Sequence, residues 1–180
     1  RTSIHTSRRP RKKPLETFVE ALGLGETIKA EIFRGNRGFY NDTPDEILCV
    51  NDLIVNTGRT YLAKRISAGD TVASAMAHIA IGTGTASPAL GDTALAGEYK
   101  RKATAINSTL SSNNVWSAIS TFGGFAETIT SLQITEAGVF NHASSGAGTL
   151  FQRVTFSAVT LADSDLFSIT LQTNIGSNSF

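Results

Sequence analysis

The chain has little cysteine and no long hydrophobic run, and these two scarcities exclude several classes of protein. Cys49 is the one cysteine among 180 residues, so neither an internal disulfide nor a cysteine metal cluster can form. Its neighbours Leu48 and Val50 predict that the Cys49 side chain is a small buried hydrophobe. No stretch has the roughly 18 apolar residues that a membrane-spanning helix needs, so no contact with a membrane is predicted.

A recognisable catalytic or metal-binding motif is also lacking. The three histidines, His5, His78 and His142, do not cluster at the spacing of metal ligands. No serine lies in a nucleophile elbow with an identifiable base, and no paired carboxylates stand in a recognisable setting. We therefore predict that the chain is not an enzyme, and that it has no catalytic, cofactor-binding or metal site.

One glycine-rich stretch, Gly82-Thr83-Gly84-Thr85, resembles a phosphate-binding loop at first sight. Such a loop needs a helix behind the glycines and commonly a lysine for the phosphates. Neither follows here, since the next residues include a proline and a Gly-Asp pair that interrupt any helix. We predict a structural turn or bulge, in which Gly82 and Gly84 supply backbone angles that other residues avoid.

The charge is distributed unevenly along the chain. Residues 1–14 hold two prolines and six cations before the first acid, namely Arg1, Arg8, Arg9, Arg11, Lys12 and Lys13. The remaining ten basic and fifteen acidic residues leave the rest of the chain about five charges negative. A segment of this composition is expected to be a flexible basic arm that binds a partner. The partner is the acidic surface of a neighbouring subunit or nucleic-acid phosphates, unless the arm is a solvated tail.

Residues 15–50 are predicted to lead from the arm into the body of the protein. Apolar residues at 15, 18, 19 and 22 indicate a short amphipathic helix over 15–24, which the glycines at 23 and 25 end. Alternation over 26–34 predicts a strand, followed by short strands at 39–40 and 47–50. The body itself is expected to span 51–180.

A helix is predicted over 51–67, at the start of that body. Asn51 would cap it, and Lys64 and Arg65 in its last turn favour the helix dipole. Gly58 in its middle costs roughly 1 kcal/mol relative to alanine. We interpret Gly58 as a point where the helix closely approaches a sheet.

From residue 77 onward the sequence predicts β-structure. Strands are expected at 79–81, within 96–107, and at 115–122, 128–134, 149–159 and 166–175, with an edge or bulge at 136–140 and a loop at 141–148. Strands at short spacing indicate a mainly β fold, an antiparallel β-sandwich with one packed α-helix and the basic N-terminal arm. Jelly-roll topology stays open.

Two features of the β half concern packing rather than chemistry. Glu136 has apolar neighbours, so we predict that it is buried against a cation such as Arg153 or Arg101. Seven aromatic residues are interpreted as core or interface packing: Phe122, Phe125, Phe140, Phe151, Phe156, Phe167 and Trp116.

Several stretches over residues 51–175 resemble structural proteins of tailed bacteriophages. The resemblance begins with LIVNTG at 53–58 and YLA at 61–63. It continues in HIAIGTGT, in DTAL and the following Glu98 and Arg101, and then in ITEAGVF and GTLFQRVTF. It implies a virion component, described in such proteins as capsid-associated, tail or fibre. It brings no catalytic residues with it.

The leading hypothesis is a capsid decoration or cement subunit of a virion assembled in the host cytoplasm. It would bind the major capsid protein or other virion proteins through its β body and its arm, and would form a homo-oligomer. A tail, neck or baseplate component is the first alternative. A nucleic-acid-binding protein that uses the cations of the arm is the second.

Overall fold

A computed structural model describes most of the body of the chain, namely residues 24–35, 43–67, 74–107, 115–124, 129 and 132–175. The basic arm with its six cations lies outside the described residues, and so does the predicted helix up to residue 23.

The described residues form ten strands and one helix. In chain order these are β1 (Leu24–Phe33), β2 (Glu46–Val50), β3 (Leu53–Ile54), α1 (Asn56–Ile66), β4 (His78–Gly82), β5 (Glu98–Ala103), β6 (Ala105–Asn107), β7 (Val115–Gly123), β8 (Leu132–Phe140), β9 (Leu150–Leu161) and β10 (Leu166–Ile175).

The strands build two five-stranded antiparallel sheets, as the predicted β-sandwich requires. The first sheet has the order β2-β1-β10-β7-β6, and the second has the order β3-β9-β8-β4-β5. Because β1 and β2 belong to the first sheet, the described part of the segment before residue 51 is built into the sandwich itself. The mainly β fold class with one packed helix is confirmed.

In the first sheet, buried and exposed side chains alternate along the strands. In β1, Ile28, Ala30 and Ile32 are buried, and the residues between them face outward. The same alternation makes one prediction wrong. In β2 it is Leu48 and Val50 that turn inward, so the Cys49 side chain is exposed rather than buried.

Helix α1 is shorter than predicted. It spans Asn56–Ile66, because Leu53 and Ile54 pair with β9 as the short strand β3. The prediction that Asn51 caps the helix is therefore wrong. The N-cap residue is Val55, which makes no side-chain cap hydrogen bond.

The predicted close approach at Gly58 is confirmed. A Cβ at this position would overlap the carbonyl oxygen of Phe151 in β9. The same carbonyl accepts a hydrogen bond of 3.1 Å from the N–H of Val55, and Thr57 Oγ1 donates to the carbonyl of Leu150 at 2.7 Å. The helix thus lies directly against the backbone of β9.

Two further predictions need correction. The strand expected over 96–107 is two strands, since β5 belongs to the second sheet and β6 to the first. Between them the N–H of Thr104 donates to the carbonyl of Ala77. The segment 136–140 is no edge, because β8 lies between β4 and β9, although its pairing with β9 has the expected irregularities.

The core consists of two clusters. The larger one fills the space between the sheets and includes Phe122, Phe151 and Phe167. The smaller one contains Val55, Ala80, Leu95, Phe140 and Leu150. Ile79 and Ile81 belong to the larger cluster and Ala80 to the smaller, so the smaller cluster lies on the outer face of the second sheet. Trp116 and Phe156 pack partly buried against the larger cluster, and Phe125 lies outside the described residues.

Candidate functional site

Several residues of the bacteriophage resemblance, including Gly84, Glu136 and Arg153, meet on the outer face of the second sheet. Residues 83–97 join β4 to β5 and pack on this face through the buried Leu95. We call this segment the 83–97 loop. Beneath it lie two strands of the resemblance, β8 with the ITEAGVF stretch and β9 with the LFQRVTF stretch.

Glu136 is the centre of the arrangement, and its side chain is 0% exposed. Its carboxylate accepts hydrogen bonds from the backbone N–H groups of Gly84 at 3.0 Å, Ala96 at 3.1 Å and Gly97 at 2.6 Å. The carboxylate therefore connects the two ends of the 83–97 loop to the middle of β8.

Arg153 supplies the compensating charge, and of the two predicted cations it is the one that binds Glu136, since Arg101 binds Glu98. Its Nε and Nη2 donate to Glu136 Oε2 at 3.0 and 2.8 Å. Its Nη1 reaches Asp92 Oδ2 at 2.7 Å, and its Nη2 also donates to the carbonyl of Ala86 at 2.9 Å. One guanidinium thus binds the strand carboxylate and two points of the 83–97 loop, and we call these contacts the Glu136–Arg153–Asp92 network.

The pKa values follow from these contacts. Burial disfavours the charge of Glu136, but hydrogen bonds from Gly97, Arg153, Ala96 and Gly84 outweigh it and hold its pKa below the ordinary value. Burial likewise opposes the charge of Asp92, whose pKa is lowered by the N–H of Ala89 and by Arg153. The network is therefore ionised at neutral pH, and Glu136 has no proton to exchange there.

Arg101 forms a second anchor on the same face, with its side chain only 2% exposed. It binds both oxygens of Glu98, at 2.9 and 2.8 Å. Its Nη1 donates to the carbonyls of His142 and Ala147, and its guanidinium lies 3.6 Å from the ring centroid of Phe140. The loop between β8 and β9 is fixed in this way.

Gly82 and Gly84 lie where β4 ends and the 83–97 loop begins, at an irregularity in the pairing with β5. The predicted turn or bulge is present, but the predicted reason is wrong, because neither glycine has a positive φ. A Cβ at Gly82 would come within 2.7 Å of Glu136 Oε1, and one at Gly84 would overlap the same oxygen. The two glycines are required by the close approach of the carboxylate and of the end of the 83–97 loop, since the carbonyl oxygen of Gly97 would lie 2.5 Å from a Cβ at Gly82.

A third group of charges lies where β1 ends. Arg34 binds Asp165 at 2.8 Å, Glu46 at 3.0 Å and the carbonyl of Thr160. Asp165 also accepts from the N–H groups of Gly35 and Ala162. Burial disfavours the charge of Asp165, but these contacts hold its pKa below the ordinary value. The turn before β10 is thereby joined to β1, in the way that short polar turn residues satisfy backbone groups.

The structure separates the residues that the sequence singled out. Gly82 and Gly84 meet Glu136, which Arg153 binds, whereas the arm cations lie outside the described residues. Sequence reasoning missed the role of Asp92 and the stacking of Arg101 on Phe140. One signal was present, since an arginine inside the apolar stretch of β9 requires a partner in its surroundings.

The chain matches no protein-family model, and it has no significant match among curated proteins or solved structures. In the described part of the chain, no helix is long and apolar enough to cross a membrane. Over the same residues, no three His, Cys, Asp or Glu side chains are grouped so that they could hold a metal ion.

Proposed function

We propose that this chain is a structural protein of a tailed bacteriophage virion, and specifically a capsid decoration or cement subunit. The observation that carries the proposal is the Glu136–Arg153–Asp92 network. Asp92, Glu136 and Arg153, which all belong to the bacteriophage-like pattern, fix the 83–97 loop to the second sheet. The pattern therefore encodes a rigid surface loop.

A rigid loop suits a subunit that binds by surface complementarity. Ordering a loop on binding costs free energy, and a loop that is already held in place avoids most of that cost. Much of the 83–97 loop is exposed, including Leu90 at 43%. The loop thus offers a preformed contact surface to a neighbouring virion protein.

The basic arm complements this surface. Fourteen extended residues span up to about 46–50 Å, which is enough to cross onto a neighbouring subunit. The arm carries six cations, and the rest of the chain is about five charges negative. Charge complementarity between the arm of one subunit and the body of the next supports a homo-oligomer on the capsid surface.

Immunogold labelling of purified particles tests the proposal. Antibodies against the chain are expected to label the outer shell of the capsid. Labelling confined to the tail, neck or baseplate would support the alternative structural location instead. Particles without label, and without peptides of this chain in their mass spectra, would contradict any virion role.

Two arm variants and one control variant distinguish the contribution of the arm's length from that of its charge. Deletion of residues 1–14 is expected to abolish incorporation into particles and to leave the melting temperature unchanged. A full-length variant with the six cations replaced by glutamine keeps the reach and loses the charge, and a variant with its four arginines replaced by lysine is the matched control. Full occupancy after the deletion would rule out a clamping role for the arm.

The nucleic-acid alternative has its own test in a binding titration with duplex DNA. Binding through phosphates predicts an affinity that falls steeply with salt and depends on the same six cations. No binding at low salt, or a flat salt response, would remove this alternative.

A further inference from the structure

The edge strands of the two sheets differ in how they are protected against pairing with another chain. An edge strand presents backbone N–H and C=O groups to which a further strand can bind. Proteins commonly prevent such pairing with a very short edge strand, with lysine or proline, or with a bulge. In the described part of the chain the four edges are β2 and β6 in the first sheet and β3 and β5 in the second.

Three of these edges are protected in one of these ways. Strand β3 has two residues and β6 has three, so neither offers a long row of backbone groups. Strand β5 has six residues, but Lys100, Arg101 and Lys102 follow one another along it, and its register with β4 shifts near its start. Two copies of β5 side by side would place lysines beside lysines, and like charges directly opposite are destabilising.

Strand β2 has none of these protections. It has five residues, without lysine or proline, and its register with β1 is continuous. Its one charged residue, Glu46, stands at the first position and is bound by Arg34 at 3.0 Å. Ile47 is 55% exposed, and Cys49 is exposed as well. Among the described residues β2 pairs with β1 alone, so the strand presents a mostly apolar edge.

A groove of about 400 Å³ opens beside the same strand. Leu48 and Val50 of β2 contribute to its lining, together with Phe156 of β9. Strand β3 pairs with β9 only at Gln152 and Arg153, so among the described strands none follows β9 on this side at Phe156. The side chains of Leu48 and Val50 turn toward the core and are nevertheless only partly buried.

A second copy of β2 is complementary to this edge. Antiparallel pairing about a two-fold axis at Leu48 aligns all five residues of both strands. In this register Leu48 lies opposite Leu48 of the second copy, and Ile47 lies opposite Cys49 of the second copy. Residues directly opposite one another point to the same face of a sheet, so apolar side chains meet on both faces.

We propose that two copies of this chain associate by antiparallel pairing of their β2 strands, which joins their first sheets into one continuous sheet. The pairing satisfies backbone groups of both edges, and the contact between Ile47 and Cys49 removes apolar surface from water. The interface is small, so the association is expected to be weak. The proposal goes beyond the function proposed above and does not depend on it, since it concerns the isolated chain in solution.

The competing occupant of the β2 edge is a segment of the same chain that lies outside the described residues. Residues 36–42, which join β1 to β2, are one such segment. A segment of the same chain would cover the edge at every protein concentration, whereas a second copy would cover it only as the concentration rises. Two experiments with the full chain use this difference.

Sedimentation velocity up to millimolar concentration tests the association, and a monomer–dimer equilibrium is expected for the wild type. Ile47→Lys places a cation on both β2 edges and should raise the dimer Kd about tenfold or more. Ile66→Lys, the same substitution at an isoleucine of α1 that is 84% exposed, is the matched control and should leave the Kd unchanged. A wild type that stays monomeric, or a dimer that the two variants weaken equally or not at all, would overturn the proposal.

Hydrogen exchange identifies what lies against the β2 edge. Alternate N–H groups of an edge strand point away from its neighbour, so these amides of β2 should exchange rapidly in dilute solution and become protected as the concentration rises. The amides of β5 should show no such dependence. Protection of all β2 amides in the dilute monomer would show that the same chain covers the edge, and would overturn the proposal. Exchange at β2 that does not change with concentration would overturn it as well.

Discussion

The outer faces of the two sheets meet their surroundings in different ways. The first sheet turns polar residues to solvent, such as Lys29 and Glu31, which form an ion pair with side chains 48% and 22% exposed. The second sheet is covered by the 83–97 loop, and its central pair, Glu136 and Arg153, has side chains 0% and 2% exposed. Both faces carry a glutamate beside a cation, but only one of the two pairs is removed from water.

This difference in exposure decides how much each ion pair contributes to the stability of the folded chain. An exposed pair gains little, because water and salt screen it and two long side chains must be ordered. A buried pair is expensive to form, but breaking it leaves an uncompensated charge in a medium of low dielectric constant. The Glu136–Arg153–Asp92 network should therefore control the stability of the second sheet, whereas the Lys29–Glu31 pair should be dispensable.

The largest expected effect follows from Glu136→Gln. The change removes the charge opposite Arg153 and places an amide NH₂ among backbone N–H donors, so we expect the free energy of unfolding to fall by about 3 kcal/mol. The matched control, Glu31→Gln, should cost no more than about 0.5 kcal/mol. Chemical denaturation of both variants measures the difference. Similar losses in the two variants would mean that burial does not distinguish the pairs.

The next effect concerns the glycine beside the carboxylate. Gly84→Ala places a methyl group against Glu136 Oε1, and overpacking of this kind costs about 1–3 kcal/mol. Gly91→Ala lies in the same loop with nothing within 4 Å of the new methyl group, and we expect a change within about 0.5 kcal/mol. Thermal unfolding of the two alanine variants compares them directly. If neither substitution changes the thermal stability, the close approach that we assign to Gly84 is wrong.

Acid pH should lower the contribution of the Glu136–Arg153–Asp92 network to the free energy of unfolding. The folded chain holds the pKa values of Glu136 and Asp92 below their ordinary values of 4.5 and 3.8. A depressed carboxylate pKa contributes stability above the unfolded value, and this contribution is lost as the pH falls through the folded value. Unfolding free energies between pH 6 and pH 2.5 should therefore fall below about pH 4.5, and less steeply in Glu136→Gln than in Glu31→Gln. Equal slopes in the two variants would argue against ionisation of Glu136 in the folded state.

The smallest expected effect concerns the exposed outer face of the first sheet. Cys49 is exposed on the edge strand β2, so Cys49→Ser should change the unfolding free energy by less than about 0.5 kcal/mol. A thiol reagent such as DTNB should modify Cys49 in the native protein without prior unfolding. A thiol that reacts only after denaturant is added would show that the first sheet is covered at this edge.

The same comparison explains what the sequence could and could not predict. The strands of the first sheet bury one face, so β1 and β10 show a period of two that is visible in the sequence. Strand β8 is buried on both faces from Ile134 to Phe140, so it lacks that period, and the sequence predicts only an edge or bulge over 136–140. Burial on two sides removes the pattern by which strands are recognised.

The site was predictable in part. A glutamate among apolar residues requires a cation, and this rule predicts Arg153 or Arg101 as the partner of Glu136 without deciding between them. It could not identify Asp92, because residues 92 and 153 are far apart in the sequence. They meet only because the 83–97 loop folds back over β9. The reason for Gly82 and Gly84 also lay in the tertiary structure, since the atoms that exclude a side chain there belong to Glu136 of β8 and to Ala96 and Gly97.

Native-state hydrogen exchange tests the central claim most directly, namely that Glu136 fixes the 83–97 loop to the second sheet. In the wild type, the amides of Gly84, Ala96 and Gly97 should be protected nearly as well as those of β8, because each donates to the buried carboxylate. In Glu136→Gln this protection should be lost, while that of β1 and β10 is retained. Rapid exchange of the three amides in the wild type would contradict the account.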